Sequence, residues 1–117
     1  MSILGIGVDV VDIGRFAASL ERTPTLRNRL FTASEIDLPL ESLAGRFAAK
    51  EAFVKALRAP AGMSWQDIEV VNDAHGAPQL RLQGAAKDRA GELGVTTAHL
   101  SISHDTTVAT AFVVAEC

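Results

Sequence analysis

The chain has 117 residues, 48% of them hydrophobic and 21% charged, with a formal net charge of −3. That suits one domain with a core of its own, excludes a disordered chain, and is small enough for an oligomeric partner to complete the burial. Tyr is absent and there is a single Trp, so the aromatic platform that stacks single-stranded nucleic acid is missing and no nucleic-acid partner is expected. The lone Cys117 has neither a disulfide partner nor metal-ligand spacing, which suits a reducing compartment. Met1 to Phe16 carries Asp9 and Asp12, with no basic residue ahead of its apolar ones. It reads as neither a secretory signal nor a membrane span, and a cytoplasmic protein without membrane contact is the expectation.

In chain order, Ile3 to Val10 alternates as a strand, with Leu4, Ile6, Val8 and Val10 on one face and Gly5, Gly7 and Asp9 on the other. The apolar face is expected in the core. The glycine face is expected to be open, since glycines let another backbone or a ligand come close beside Asp9; a glycine-marked bulge with Asp9 capping the strand end is the plainer alternative. Asp12 is placed to cap a helix over residues 13–22. Between Arg15 and Arg29 lie four arginines and Glu21, a basic patch on an acidic chain that could be a solvated face or a guide for an acidic partner. Pro24 splits this segment into two short helices. Thr32-Ala33-Ser34-Glu35 resembles a capping box with Thr32 as the cap and Glu35 at the third helical position.

A longer helix follows over residues 41–58, rich in Ala and straight side chains and interrupted only by Gly45. Glu51 there shares a face with Phe47, Ala48, Val54 and Lys55. The Glu51–Lys55 pair is either an exposed helical pair worth about 0.2–0.5 kcal/mol or a carboxylate and an ammonium held for a ligand. Residues 58–64 read as a loop, 66–71 as a strand with Ile68 and Val70 on one face, 72–78 as a turn and 79–82 as a returning strand. A small helix over 84–93 ends at Gly94. Strands over 97–103 and 107–114 close the chain as a hairpin turning at Asp105-Thr106. Leu100, Ile102 and His104 share one face, His99, Ser101 and Ser103 the other. His104 then serves either as a histidine satisfied by backbone or as a phosphate ligand or proton carrier beside a cleft. No Gly-x-Ser-x-Gly occurs, which argues against a serine-hydrolase triad. The layout is a single α+β domain over residues 1–117, helices packed on an antiparallel sheet.

Taken together, Gly7-Val8-Asp9, Arg15, Phe31-Thr32 with Glu35, Arg46-Phe47-Ala48-Ala49-Lys50-Glu51-Ala52 with Lys55-Ala56, and His99-Leu100-Ser101-Ile102-Ser103-His104 closely resemble the holo-acyl-carrier-protein synthases, the small single-domain 4′-phosphopantetheinyl transferases. The resemblance spans nearly the whole chain. It implies the 4′-phosphopantetheinyl transferase fold, a homotrimer with active sites between subunits, and transfer of the phosphopantetheine arm of coenzyme A to a serine of apo acyl carrier protein. It also implies Mg²⁺ held by Asp9 and Glu51, Lys55 on the pyrophosphate, and Arg46, His104 and the Gly76-Ala77-Pro78 turn around the nucleotide end of coenzyme A. Arg15 and Arg22 become the candidates for carrier contact. Asp9, Glu51, Lys55 and His104 form the catalytic set, and the base that takes the serine proton is left among a metal-associated water, the acidic pair and His104.

Three departures from the family pattern accompany the match. Ala77 replaces the usual cation of the Gly-Lys-Pro or Gly-Arg-Pro turn, Arg58 to Met63 replaces a glycine-rich loop, and the connection from Glu35 to Arg46 is short. The rival readings are a non-catalytic Mg²⁺-dependent nucleotide- or coenzyme A-binding module and a purely structural trimer.

Overall fold

A computed structural model describes residues 1–60 and 62–117. The chain runs β1 (Ile3–Asp12), α1 (Ile13–Arg22), α2 (Leu26–Leu30), α3 (Leu40–Leu57), a 3₁₀ turn (Trp65–Asp67), β2 (Ile68–Asn72), β3 (Pro78–Leu82), α4 (Gly84–Leu93), β4 (Thr97–Asp105) and β5 (Val108–Glu116). Strands β1, β5 and β4 form one antiparallel sheet in that order, and β2 pairs with β3 in a separate hairpin. The α+β expectation holds.

Helix α3 lies against one face of the three-stranded sheet, and small side chains bring it close. Ala44, Ala48, Ala49, Ala52 and Ala56 of α3 are buried, as are Ala109, Ala111, Val113 and Ala115 of β5. The approach is closest at β1. A Cβ added to Gly7 would lie 1.8 Å from the Ala52 carbonyl oxygen, and one added to Gly5 would lie 1.8 Å from that of Ala56. Glycine is required at both positions because helix backbone already fills the space of a side chain.

This corrects the expected sidedness of β1. The glycine face is the inner one, covered by α3, while Ile6, Val8 and Val10 of the supposed core face are 56%, 47% and 65% exposed. Apolar alternation identifies a strand but not which of two coverable faces its own domain covers.

The other elements follow local chemistry. The Asp12 carboxylate accepts from the Arg15 N–H at 2.8 Å and starts α1, whose inner stripe of Ile13, Phe16 and Leu20 is buried. Residues 33–37 form a turn rather than a helix, so the capping box is half made: Glu35 accepts from the Thr32 N–H at 3.0 Å, while the Thr32 hydroxyl turns to Glu69. The C-terminal hairpin turns on Thr106-Thr107, one residue later than expected, because Asp105 still pairs with Val108. The strand expected from residue 66 starts at Ile68, after Ser64 caps the 3₁₀ turn by accepting from the Gln66 N–H. In the expected 58–64 loop, α3 ends at Arg58 in the left-handed region (φ 47°); Ala61 lies outside the described residues.

Candidate active site

The close contact of β1 with α3 sets the first half of the site. Gly7 packs on Ala52, so Asp9, two residues on and on the same face, is delivered to the next stretch of the helix surface. Lys55 reaches back along α3 to it, its Nζ donating to Asp9 Oδ1 at 3.1 Å and to the Val8 carbonyl at 3.0 Å. Glu51, one turn before Lys55, completes the group. Its carboxyl is pushed up by burial and by the neighbouring negative charge of Asp9, and pulled partly back by Lys55. Lys55 thus pairs across to the strand with Asp9 and not along the helix with Glu51, whose carboxyl feels both charges.

Two carboxylates in mutual repulsion with one ammonium make a site that a hard divalent cation would relieve. Two carboxylates are a donor set that fits Mg²⁺, which takes one or two carboxylates and fills its octahedron with water and phosphate oxygens. The room beside Asp9 does not come from the glycines, as the sequence suggested; α3 occupies that space, and the donors lie beyond Gly7.

The second half of the site is a pocket of about 250 Å³ where the N-terminal turns of α3, the tip of the β2–β3 hairpin and the end of β4 converge. Its lining includes Glu41, Ser42, Gly45, Arg46, Asn72, Gly76, Pro78, Ile102 and His104. Arg46, Gly76, Pro78 and His104 are four residues expected to hold the nucleotide, and they come together from three elements. Arg46 Nε is buried and has no hydrogen-bond partner among the described residues, the condition of a donor awaiting an anion. The Asp73 carboxylate shapes the turn by accepting from the His75 and Ala77 N–H groups at 2.8 and 3.0 Å, with Gly76 at φ 83°. Ala77 adds no charge there, so Arg46 is the pocket's one permanent cation among the described residues.

Gly45 is a positioning residue that motif reading passes over as a mere helix interruption. It is buried, and a Cβ there would lie 2.9 Å from Ile102 Cγ2, so its absence lets β4 close on α3 and carries His104 to the pocket edge. Glu41, Ser42 and Asn72 also line the pocket without having been singled out; no sequence signal marks them apart from ordinary helix-start and turn residues. The pocket and the carboxylate pair share one helix. Glu51 follows Arg46 by about 7.5 Å along the axis and about 140° around it, so the two half-sites open on different sides of α3. Arg15 and Arg22 are exposed and two turns apart on α1.

Comparisons with known proteins give the chain its family. A family model described as the 4′-phosphopantetheinyl transferase superfamily matches residues 5–113. The holo-[acyl-carrier-protein] synthase of Clavibacter sepedonicus is 61% identical over 97% of this chain and 96% of its own length. That of Streptomyces coelicolor is 54% identical, over 99% of both. The crystal structure of the Neisseria meningitidis holo-[acyl-carrier-protein] synthase superposes with a TM-score of 0.90 at 33% identity, covering 99% of this chain and 100% of that one. The Helicobacter pylori enzyme, solved in complex with coenzyme A, gives 0.84 at 33% identity, over 95% and 99%. With the family model spanning nearly all of its length and the relatives more than half identical over nearly all of theirs, the chain belongs to the 4′-phosphopantetheinyl transferase superfamily.

Proposed function

We propose that this protein transfers the 4′-phosphopantetheine arm of coenzyme A to a serine of apo acyl carrier protein, giving holo carrier protein and adenosine 3′,5′-bisphosphate. The observation that carries the reading is that one helix, α3, supplies residues both to the Asp9–Glu51–Lys55 group and to the Arg46 pocket. The serine Oγ forms a bond to the phosphorus nearer the pantetheine arm as the bond from that phosphorus to the bridging oxygen breaks. The electron pair leaves on the bisphosphate, and the serine proton passes to a base.

Each residue has a definable part. Asp9 and Glu51 would hold Mg²⁺, which when bound offsets negative charge on the pyrophosphate oxygens. The Lys55 side chain is 53% exposed, so it can turn from Asp9 to a phosphate oxygen at small cost. Arg46 and His104 hold the nucleotide end against the Gly76–Pro78 wall, fixing the pyrophosphate for in-line attack. Arg15 and Arg22 meet the acidic carrier, where exposed pairs of about 0.2–1 kcal/mol each govern encounter and salt sensitivity more than chemistry.

Intact-protein mass spectrometry of an apo carrier protein incubated with this protein, coenzyme A and Mg²⁺ tests the reaction. A gain of one phosphopantetheine is expected, abolished by a chelator and reduced about 10³-fold or more in rate by Glu51→Gln or Asp9→Asn, since a bound metal stabilises the transition state by several kcal/mol. Coenzyme A binding with no transfer to several carriers would replace the transferase by a nucleotide-binding module.

A homotrimer with its active sites between subunits belongs to the same reading, in a cytoplasmic protein. No helix of the described residues is long and apolar enough to cross a membrane. Supporting assembly is the uncovered sheet face, on which Val8 pairs with Phe112 and Ile6 and Val10 flank it, all more than 45% exposed. Contiguous apolar surface of this kind marks an interaction site. Val8→Asp with Phe112→Asp is expected to reduce the mass measured by light scattering from three chains to one, and an unchanged mass would remove this face from the interface.

A further inference from the structure

Lys50 and Glu35 are both fully buried, and the reaction as described uses neither. Ions in a core are a costly filling, because apolar side chains of like volume often serve as well or better, so their presence calls for a geometric reason. Lys50 Nζ donates to Glu35 Oε1 and the Leu30 carbonyl, each at 2.6 Å, and to the Trp65 carbonyl at 3.3 Å, which occupies all three ammonium hydrogens. Glu35 uses both oxygens. Oε1 also accepts from the Thr32 N–H at 3.0 Å, and Oε2 accepts from the Val70 N–H at 2.9 Å.

Two ends of this network lead to the pocket. Lys50 lies one helical turn after Arg46 on α3, and Val70 lies two residues before Asn72, which pairs with Pro78; all three of Arg46, Asn72 and Pro78 line the pocket. The β2–β3 hairpin is not hydrogen-bonded into the three-stranded sheet. Its place against α3 rests on packing of Ile68 and Val70, on the Lys50 bond to the Trp65 carbonyl just ahead of β2, on the Thr32 and Ser34 hydroxyl bonds to Glu69, and on the two-sided grip of the Glu35 carboxylate.

We infer that Glu35 and Lys50 are positioning residues for coenzyme A: the Glu35 carboxylate couples α3 to β2 and so sets the spacing between Arg46 and the Gly76–Pro78 wall. The inference rests on the reading of that pocket as the seat of the nucleotide end. Glu35→Gln is the sharp probe, because a carboxylate accepts at both oxygens whereas an amide has one acceptor and one donor. With the amide oxygen toward Lys50, the NH₂ group meets the Val70 N–H; turned the other way, it meets Lys50 and the Thr32 N–H. Either way the link that Glu35 makes between Lys50 and Val70 is cut while volume is kept.

The test is steady-state kinetics beside equilibrium binding of adenosine 3′,5′-bisphosphate. Glu35→Gln is expected to raise the KM for coenzyme A and the Kd for the bisphosphate about tenfold, with kcat within about twofold and the KM for carrier protein unchanged. The double variant Glu35→Leu with Lys50→Met, apolar and of similar volume, is expected to recover the melting temperature without recovering the KM. A KM that returns with the melting temperature would overturn the inference, as the pair would then be structural only. If the double variant does not fold, Glu35→Gln assayed below its melting temperature decides by the same division between KM and kcat. Arg46→Ala separates the two layers: undiminished bisphosphate binding there rejects the pocket reading, whereas weakened binding there with unchanged binding in Glu35→Gln rejects the coupling alone.

Discussion

Two lysines five residues apart on α3 each pair with a carboxylate, and their surroundings differ in every respect. Lys50 and Glu35 meet at 2.6 Å, both 0% exposed; Lys55 and Asp9 meet at 3.1 Å, 53% and 17% exposed. Burial pushes the Lys50 ammonium below its ordinary range, and the hydrogen bond and charge of Glu35 push back. In the interior the attraction is strong and the penalty for losing one partner stronger, so that pair is fixed. Near water the attraction falls to about 1 kcal/mol and partners can be exchanged. One helix thus carries a lysine that holds structure and a lysine available to chemistry, and exposure separates the two.

Removing each ammonium in turn is the strongest way to break that comparison. Lys50→Met leaves Glu35 buried and unpaired, and a loss of about 3–5 kcal/mol in urea unfolding is expected. Lys55→Met should change stability by less than about 1 kcal/mol yet lower kcat/KM for transfer about 10²–10³-fold, the effect typical of losing one preorganised charge at a transition state. Equal stability losses in the two variants would show that exposure does not distinguish them.

A smaller effect sharpens the comparison at Glu51, the residue between the two lysines. Its carboxyl is raised in the folded protein, with burial the largest cause and Asp9 the next. A raised carboxyl means the folded state holds the proton more tightly, so stability falls as pH climbs from the ordinary value of 4.5 through the folded value. Above that window the ionised Glu51 is a standing penalty. Glu51→Gln is therefore expected to raise the melting temperature at neutral pH in chelator while abolishing transfer, the difference vanishing below pH 4.5. A lower melting temperature at neutral pH would show that Glu51 is stabilised by its neighbours after all.

Which parts of this were legible in the sequence follows from what each signal measures. Helix α3, the Asp12 cap, the break at Pro24 and the hairpins are local, and periodicity and turn chemistry located them to within a few residues. The meeting of Asp9 with Glu51 and Lys55, and of Arg46 with His104, is long-range and was reached through resemblance. The sidedness of β1 was misread because Ile6, Val8 and Val10 look like core until one knows that α3 needs the glycine face. Glu35 was read as a local cap, which it partly is. Its larger role depends on Lys50 and Val70, which are 15 and 35 residues away, and capping statistics contain nothing about either.

Glu69 extends the comparison to a third carboxylate, intermediate between the other two. The Ser34 and Thr32 hydroxyls donate to Oε2, at 2.6 and 2.5 Å, and Arg81 to Oε1 at 3.3 Å. These bonds, those of Ser34 and Thr32 foremost, hold its carboxyl below the ordinary 4.5 against an opposing desolvation. For a depressed carboxyl the sign reverses: its contribution is complete above the unfolded value and disappears as pH falls through the folded one. Ser34→Ala with Thr32→Val is therefore expected to lower the melting temperature modestly at neutral pH, with the variant and parent curves converging as the pH drops below that window. Parallel curves across the acid range would mean that the hydroxyls pack the 32–34 turn without stabilising the charge. Convergence would rank the carboxylates by what surrounds them: Glu35 bound to an ammonium in the core, Glu69 satisfied by hydroxyls at the surface, and Glu51 held in repulsion for a cation.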